Sequence, residues 1–342
     1  MADRSDVAPR PPRARTGDAI RVPAAALASA VAALGRRAVG RKRRPAWSAR
    51  LEATIAAYRG SWSTMPALGI VRWRNVGEAL SRLRTDGLRP RFTRFESGQY
   101  GIQGTWLEPA GASGAVLLYF HGGGFCFGSI RTHGPLIGAL ARAARARTFA
   151  AEYRLAPEHT APAAHDDALS AYRHLLGEGI APRQIVLAGD SSGGTLVLST
   201  LLALRDAGEA MPAAGIAISP WVDLSCSGAS FKANAPFDFV GEPHCRLAAV
   251  SYLGAVDPRR PDISPLFADL RGLPPLLIQA GGAEVLVDQI RAFAGRARDA
   301  GVDVTLSVYD DMVHVWHLMR DVTRDGQRAI DEAAAFARAH AS

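Results

Sequence analysis

Residues 185–194 read Ile185-Val186-Leu187-Ala188-Gly189-Asp190-Ser191-Ser192-Gly193-Gly194. The unbroken apolar run at the start suits a strand buried on both faces. Thr195 to Leu202 continue it with a helical pattern. Between the two the chain must turn sharply, and Gly189 and Gly193 have no Cβ to obstruct the turn. Ser191 is then thrust out at the C-terminal edge of the sheet. The Ser192 amide is left free at a helix N-terminus, where it can face an anion. G-x-S-x-G between strand and helix is the pattern of a nucleophile elbow. Alone it is short, and it also describes a plain Gly/Ser-rich loop. A protease-type G-D-S-G-G fits less well, because a second serine intervenes and the flanks are not all-β.

Working outward, strands and helices alternate. Ala115–Phe120, Thr148–Tyr153, Ile185–Gly189, Gly215–Ser219, Pro275–Ala280 and Val304–Tyr309 read as strands. Leu136–Arg147, His165–Leu176, the helix after the elbow to about Ala207, Val287–Ala300 and Asp321–His340 read as helices. Such alternation predicts an α/β fold with a mostly parallel central sheet flanked by helices. Ahead of it, Arg91–Glu96 and Gln103–Glu108 predict two strands joined by a turn. Residues 47–90 carry apolar residues at helical spacing and predict a helical cap segment. Residues 222–256 break the alternation, as an insertion that completes the cap. The catalytic domain is expected over 91–342.

The 342 residues carry a net charge of +8. Residues 1–44 hold 11 Lys and Arg against 3 Asp and Glu, and the remainder is neutral with 29 of each sign. The basicity therefore belongs to a segment, not to a face of the core, and nucleic acid is not an expected partner. Residues 1–46 are expected to be a basic tail, disordered or loosely helical. No stretch of 18 consecutive apolar residues occurs, so stable membrane insertion is not expected. Val22 to Leu34 is too weakly apolar for a good export signal. Cys126, Cys226 and Cys245 show no C-x-x-C spacing, which favours reduced thiols, a cytoplasmic location and no metal site.

A serine nucleophile needs a base, an acid that orients the base, and donors for an oxyanion. His314, after the last strand, is placed at the same sheet edge as Ser191; His317 is its rival. The acid lies after Pro275–Ala280, where Glu284 stands nearest the strand end. Asp288, a helical turn later, is the rival acid. His121-Gly122-Gly123-Gly124 directly follows a strand and offers the amides of Gly122, Gly123 and Gly124, beside that of Ser192, as oxyanion donors.

Together these motifs resemble the bacterial hormone-sensitive-lipase family of α/β-hydrolase esterases, from about Gly104 to the C-terminal helix. His121–Phe125 is similar to the family's HGGG motif and Gly189–Gly194 to its G-D-S-A-G-G. Tyr153–Glu158 and Ser219–Leu224 resemble further family segments, and Met312–Trp316 resembles the base motif. Glu284–Asp288 resembles the acid motif D-x-L-x-D, with Glu in the first position. The resemblance implies Glu284 as the acid, a helical cap, no cofactor or metal, and hydrolysis of short- to medium-chain acyl esters. A lactone or the acetyl ester of a secondary metabolite would use the same chemistry. A non-catalytic small-molecule binding protein is the remaining alternative. A homodimer is compatible with this reading.

Overall fold

The computed structural model describes residues 11–341. Its centre is one eight-stranded sheet. In chain order the strands are β1 (Pro90–Ser97), β2 (Tyr100–Leu107), β3 (Val116–Phe120), β4 (Arg147–Glu152), β5 (Ile185–Asp190), β6 (Ala214–Ile218), β7 (Leu276–Gly281) and β8 (Val304–Tyr309). Their spatial order is β1-β2-β4-β3-β5-β6-β7-β8. The β1–β2 and β2–β4 pairs are antiparallel and the remaining pairs are parallel. The all-apolar β3 and the apolar start of β5 sit side by side at the centre, buried on both faces, as their unbroken runs require.

Helices α5 (Ile130–Ala144), α6 (Ala163–Gly177), α7 (Ser192–Asp206), α10 (Val287–Asp299) and α11 (Arg324–His340) cover the sheet. Two core clusters result. One holds Leu118, Leu187, Leu196 and Phe293; the other holds Leu117, Val186, Leu140 and Ile330. Alternate strand residues feed alternate clusters, because successive side chains point to opposite faces.

Ahead of the sheet run α1 (Thr16–Ala38), α2 (Ala49–Trp62), α3 (Met65–Leu68) and α4 (Ile70–Leu80). The insertion holds α8 (Ser230–Ala233) and α9 (Glu242–Leu253). Arg59 of α2 donates to the carbonyls of Ala235, Pro236 and Asp238, tying helices and insertion together.

One expectation is corrected here. The first ten residues of the expected tail lie outside the described residues, but Thr16–Ala38 is a single helix. Alanine and leucine favour helix, and the helix has a docking site. Gly60 of α2 approaches so closely that a Cβ there would lie 2.3 Å from the Ala25 carbonyl oxygen. Asp18 pairs with Arg72 at 2.6 Å, and Arg37 with Glu52 at 3.0 Å. By length and composition the same helix is also apolar enough to cross a membrane.

Candidate active site

Ser191 sits between β5 and α7 with φ 54° and ψ −120°, a conformation that side-chain-bearing residues avoid. Neighbours over-determine it. The Ser191 N–H donates to the Ile218 carbonyl at 2.8 Å, and the Ser191 carbonyl accepts from Trp221 N–H at 3.2 Å. Glycine is obligatory beside it, since a Cβ on Gly193 would lie 2.0 Å from the Phe120 carbonyl oxygen.

His314 follows β8 by a short loop, and its Nε2 is 2.9 Å from Ser191 Oγ. Glu284 follows β7 and is fully buried; its Oε2 lies 3.7 Å from His314 Nδ1. That separation is beyond hydrogen-bond reach but within that of an ion pair, and no other group claims Nδ1 among the described residues. Burial favours the neutral imidazole, but the Glu284 carboxylate, with Asp238 and Asp190 farther off, outweighs it and raises the His314 pKa. Asp288 is not part of this group. Its Oδ2 accepts the Ser230 N–H at 2.8 Å, at the start of α8. His317 points elsewhere too, with Nε2 2.9 Å from Gln279 Oε1 and burial depressing its pKa to about 3.

The glycine loop after β3 divides. Gly122 does not offer its amide, which donates to Asp190 Oδ1 at 3.1 Å. Gly123 and Gly124 line the same cavity as Ser191, and their amides, like that of Ser192, have no partner among the described residues. Gly123, at φ 128°, could not carry a side chain, as a Cβ would lie 1.8 Å from the Phe127 carbonyl oxygen. His121 anchors the loop by stacking on Tyr153 at 4.3 Å, and the Tyr153 hydroxyl donates to the His121 carbonyl at 2.7 Å.

Three supporting groups were not singled out from sequence. Ser219 Oγ donates to Glu284 Oε2 at 2.6 Å and accepts from Val315 N–H at 3.2 Å. Asp238 accepts the N–H groups of His314 at 3.2 Å and Val285 at 2.9 Å, fastening the loop after β8 to the loop after β7. Burial raises its pKa to about 6. Asp190, one residue before Ser191, lies 3.4 Å from His133 Nε2 and accepts the Tyr119 hydroxyl at 2.7 Å. The position of Ser219 at a strand end was a usable signal. Asp238, inside an irregular insertion, gave none.

Ser191 and His314 open into a cavity of about 370 Å³. Its far wall is built by Val22 of α1, Tyr58 and Trp62 of α2, and Trp73 and Val76 of α4. Trp62, Trp73 and Phe127 meet with ring centres 5.0 to 5.3 Å apart. The walls are mainly apolar, as in a site for a small, largely apolar ligand.

A family description for the alpha/beta hydrolase fold matches residues 117–318. An acetyl-hydrolase of Streptomyces hygroscopicus is 47% identical over 234 residues, 68% of this chain and 78% of that protein. An esterase of Acinetobacter venetianus is 33% identical, over 69% of this chain and 79% of its own. Among solved structures, an esterase from the bacterial hormone-sensitive lipase family superposes with a TM-score of 0.72 at 37% identity, covering 96% of this chain and 100% of that one. A hormone-sensitive lipase from a metagenome library gives 0.76 at 34% identity, over 84% of this chain and 97% of that one. At this identity and coverage the chain belongs to the alpha/beta hydrolase fold family and is an esterase of its bacterial hormone-sensitive-lipase branch.

Proposed function

We propose that the chain hydrolyses short- to medium-chain acyl esters with Ser191 as nucleophile, His314 as base and Glu284 as the acid that orients it. The observation that carries this is the 2.9 Å approach of His314 Nε2 to Ser191 Oγ on the floor of the cavity. Oγ attacks the ester carbonyl as Nε2 takes its proton. The carbonyl oxygen, now an anion, receives the amides of Gly123, Gly124 and Ser192; each donor is worth on the order of 3 kcal/mol of barrier. The intermediate collapses, His314 gives the proton to the departing alcohol, and an acyl-serine remains. Water, deprotonated by the same ring, attacks the acyl carbon; the acid departs and the proton returns to Ser191. Glu284 stabilises the imidazolium in both halves. Helices α2–α4 and the insertion act as the cap that excludes bulk water.

The test is turnover of p-nitrophenyl esters of increasing acyl length. Wild type should cleave acetate and butyrate and decline on long chains, and Ser191→Ala should lose on the order of 10⁶-fold in kcat. Binding without turnover by wild type would instead favour the non-catalytic receptor reading.

A further inference from the structure

The outer face of α1 is apolar, which reverses the usual arrangement for a helix packed on a soluble core. Ile20, Leu27, Val31 and Leu34 are 66%, 67%, 59% and 46% exposed. Their spacings of seven, four and three residues put them on one stripe. Ala24 and Ala38, also exposed, lie in the same stripe. The opposite face holds Val22, Ala33 and Asp18, which are buried against the body. Nine large hydrophobics are well exposed among the described residues, and five of them fall between Ile20 and Val39. That is a patch and not ordinary scatter.

Cations frame the patch. Arg13, Arg15 and Arg21 at one end, and Arg41 and Lys42 at the other, are exposed and make no salt bridge among the described residues. Beyond residue 44 the sequence is neutral, so the positive field is confined to the segment that carries the apolar stripe.

From this juxtaposition we infer that α1 is a peripheral docking surface for an anionic lipid bilayer. The stripe enters the headgroup boundary while the flanking arginines and lysine meet lipid phosphates. Charge decides among the occupants. A second copy docked on the same face about a two-fold axis would bring basic ends together and repel. A bilayer-crossing pose would tear Asp18 from Arg72 and Arg37 from Glu52, leaving those charges in hydrocarbon. Lying flat keeps both pairs. Because Val22 of the same helix lines the cavity, the bilayer surface would lie about one helix diameter, ~10 Å, from the substrate chamber.

Flotation of the full chain with vesicles tests this without using catalysis. Wild type should float with vesicles of phosphatidylcholine and phosphatidylglycerol in equal parts, much less with phosphatidylcholine alone, and less as salt rises. Leu27→Glu with Val31→Glu should weaken flotation by about tenfold or more per residue, with an unchanged melting temperature because both sites are exposed. Arg41→Gln with Lys42→Gln should weaken it about fivefold per charge. Wild type that stays unbound on anionic vesicles overturns the inference. So does a Leu27→Glu, Val31→Glu protein that floats like wild type. A wild-type dimer that the same pair of changes dissociates, with no vesicle binding, assigns the face to a second copy instead.

Discussion

The carboxylate of Asp190 accepts the backbone N–H of Gly122 at 3.1 Å. The residue beside Ser191 thus holds the first glycine of the loop across the cleft. A Cβ on Gly122 would lie 2.2 Å from Asp190 Oδ2, so the two are in direct apposition. The elbow and the glycine loop are one unit, and the amides at Gly123 and Gly124 are positioned by an atom next to Ser191.

Removing that atom should cost both stability and rate. Asp190→Ala leaves the His133 imidazole, whose pKa is raised, and the Gly122 amide buried without their acceptor. We expect a loss of about 3–5 kcal/mol in urea unfolding. A fall of about 10²-fold in kcat with little change in KM should accompany it, because the loop shifts relative to the serine. Asp190→Asn keeps one acceptor and should retain more of both.

Glu284 and Asp288 should separate cleanly in kinetics. Glu284→Gln should lower kcat by about 10⁴-fold. It also removes the charge that raises His314 while burial remains, so the ring's pKa falls. With the neutral ring as the proposed base, the acid limb of kcat/KM should move to lower pH in this variant. Asp288→Asn weakens the bond to Ser230 N–H and should cost about 1 kcal/mol of stability with turnover intact. The opposite ranking would transfer the acid's role to Asp288.

Two buried histidines, His121 and His317, and the half-buried His165 predict acid lability. Burial depresses His121 and His317 to about 3 and His165 to about 4, from an ordinary 6.5. Between pH 6.5 and about 4 the unfolded chain therefore binds protons that the folded chain refuses, and stability falls as pH falls. Each histidine contributes about 1.4 kcal/mol per pH unit across that window. Denaturant midpoints along it should drop in wild type by less than three histidines' worth, because burial raises Asp238 to about 6 and Glu152 to about 7 and the folded chain takes up those two protons over the same range. His317→Leu should lessen the slope by one histidine's share and leave ester turnover intact; loss of turnover would mean His317 takes part in the reaction.

The strand–helix alternation was legible because strands buried on both faces are written as unbroken apolar runs, as in Val116–Phe120 and at the start of Ile185–Asp190. Ser191 and His314 were legible because their strand ends share one edge of a parallel sheet. The glycine loop was legible as a motif but not as a set of donors. Which amide stays free depends on the Asp190 carboxylate across the cleft, and spacing carries no record of that. Asp238 was hidden because an irregular insertion has no period from which to infer direction. The docking of the helix Thr16–Ala38 was not legible, because its charge pattern suggested a solvated tail; the groove beside Gly60 that receives it exists only once α2 has folded.

Position 191 is held in a backbone region that glycine occupies freely and serine resists. Such a conformation costs on the order of 1–3 kcal/mol, supplied by the surrounding turn and sheet. A Ser191→Gly protein would shed the hydroxyl and the tension together. The inert molecule would then be the sturdier one, and resistance to heat is a poor guide to which versions of this chain still work.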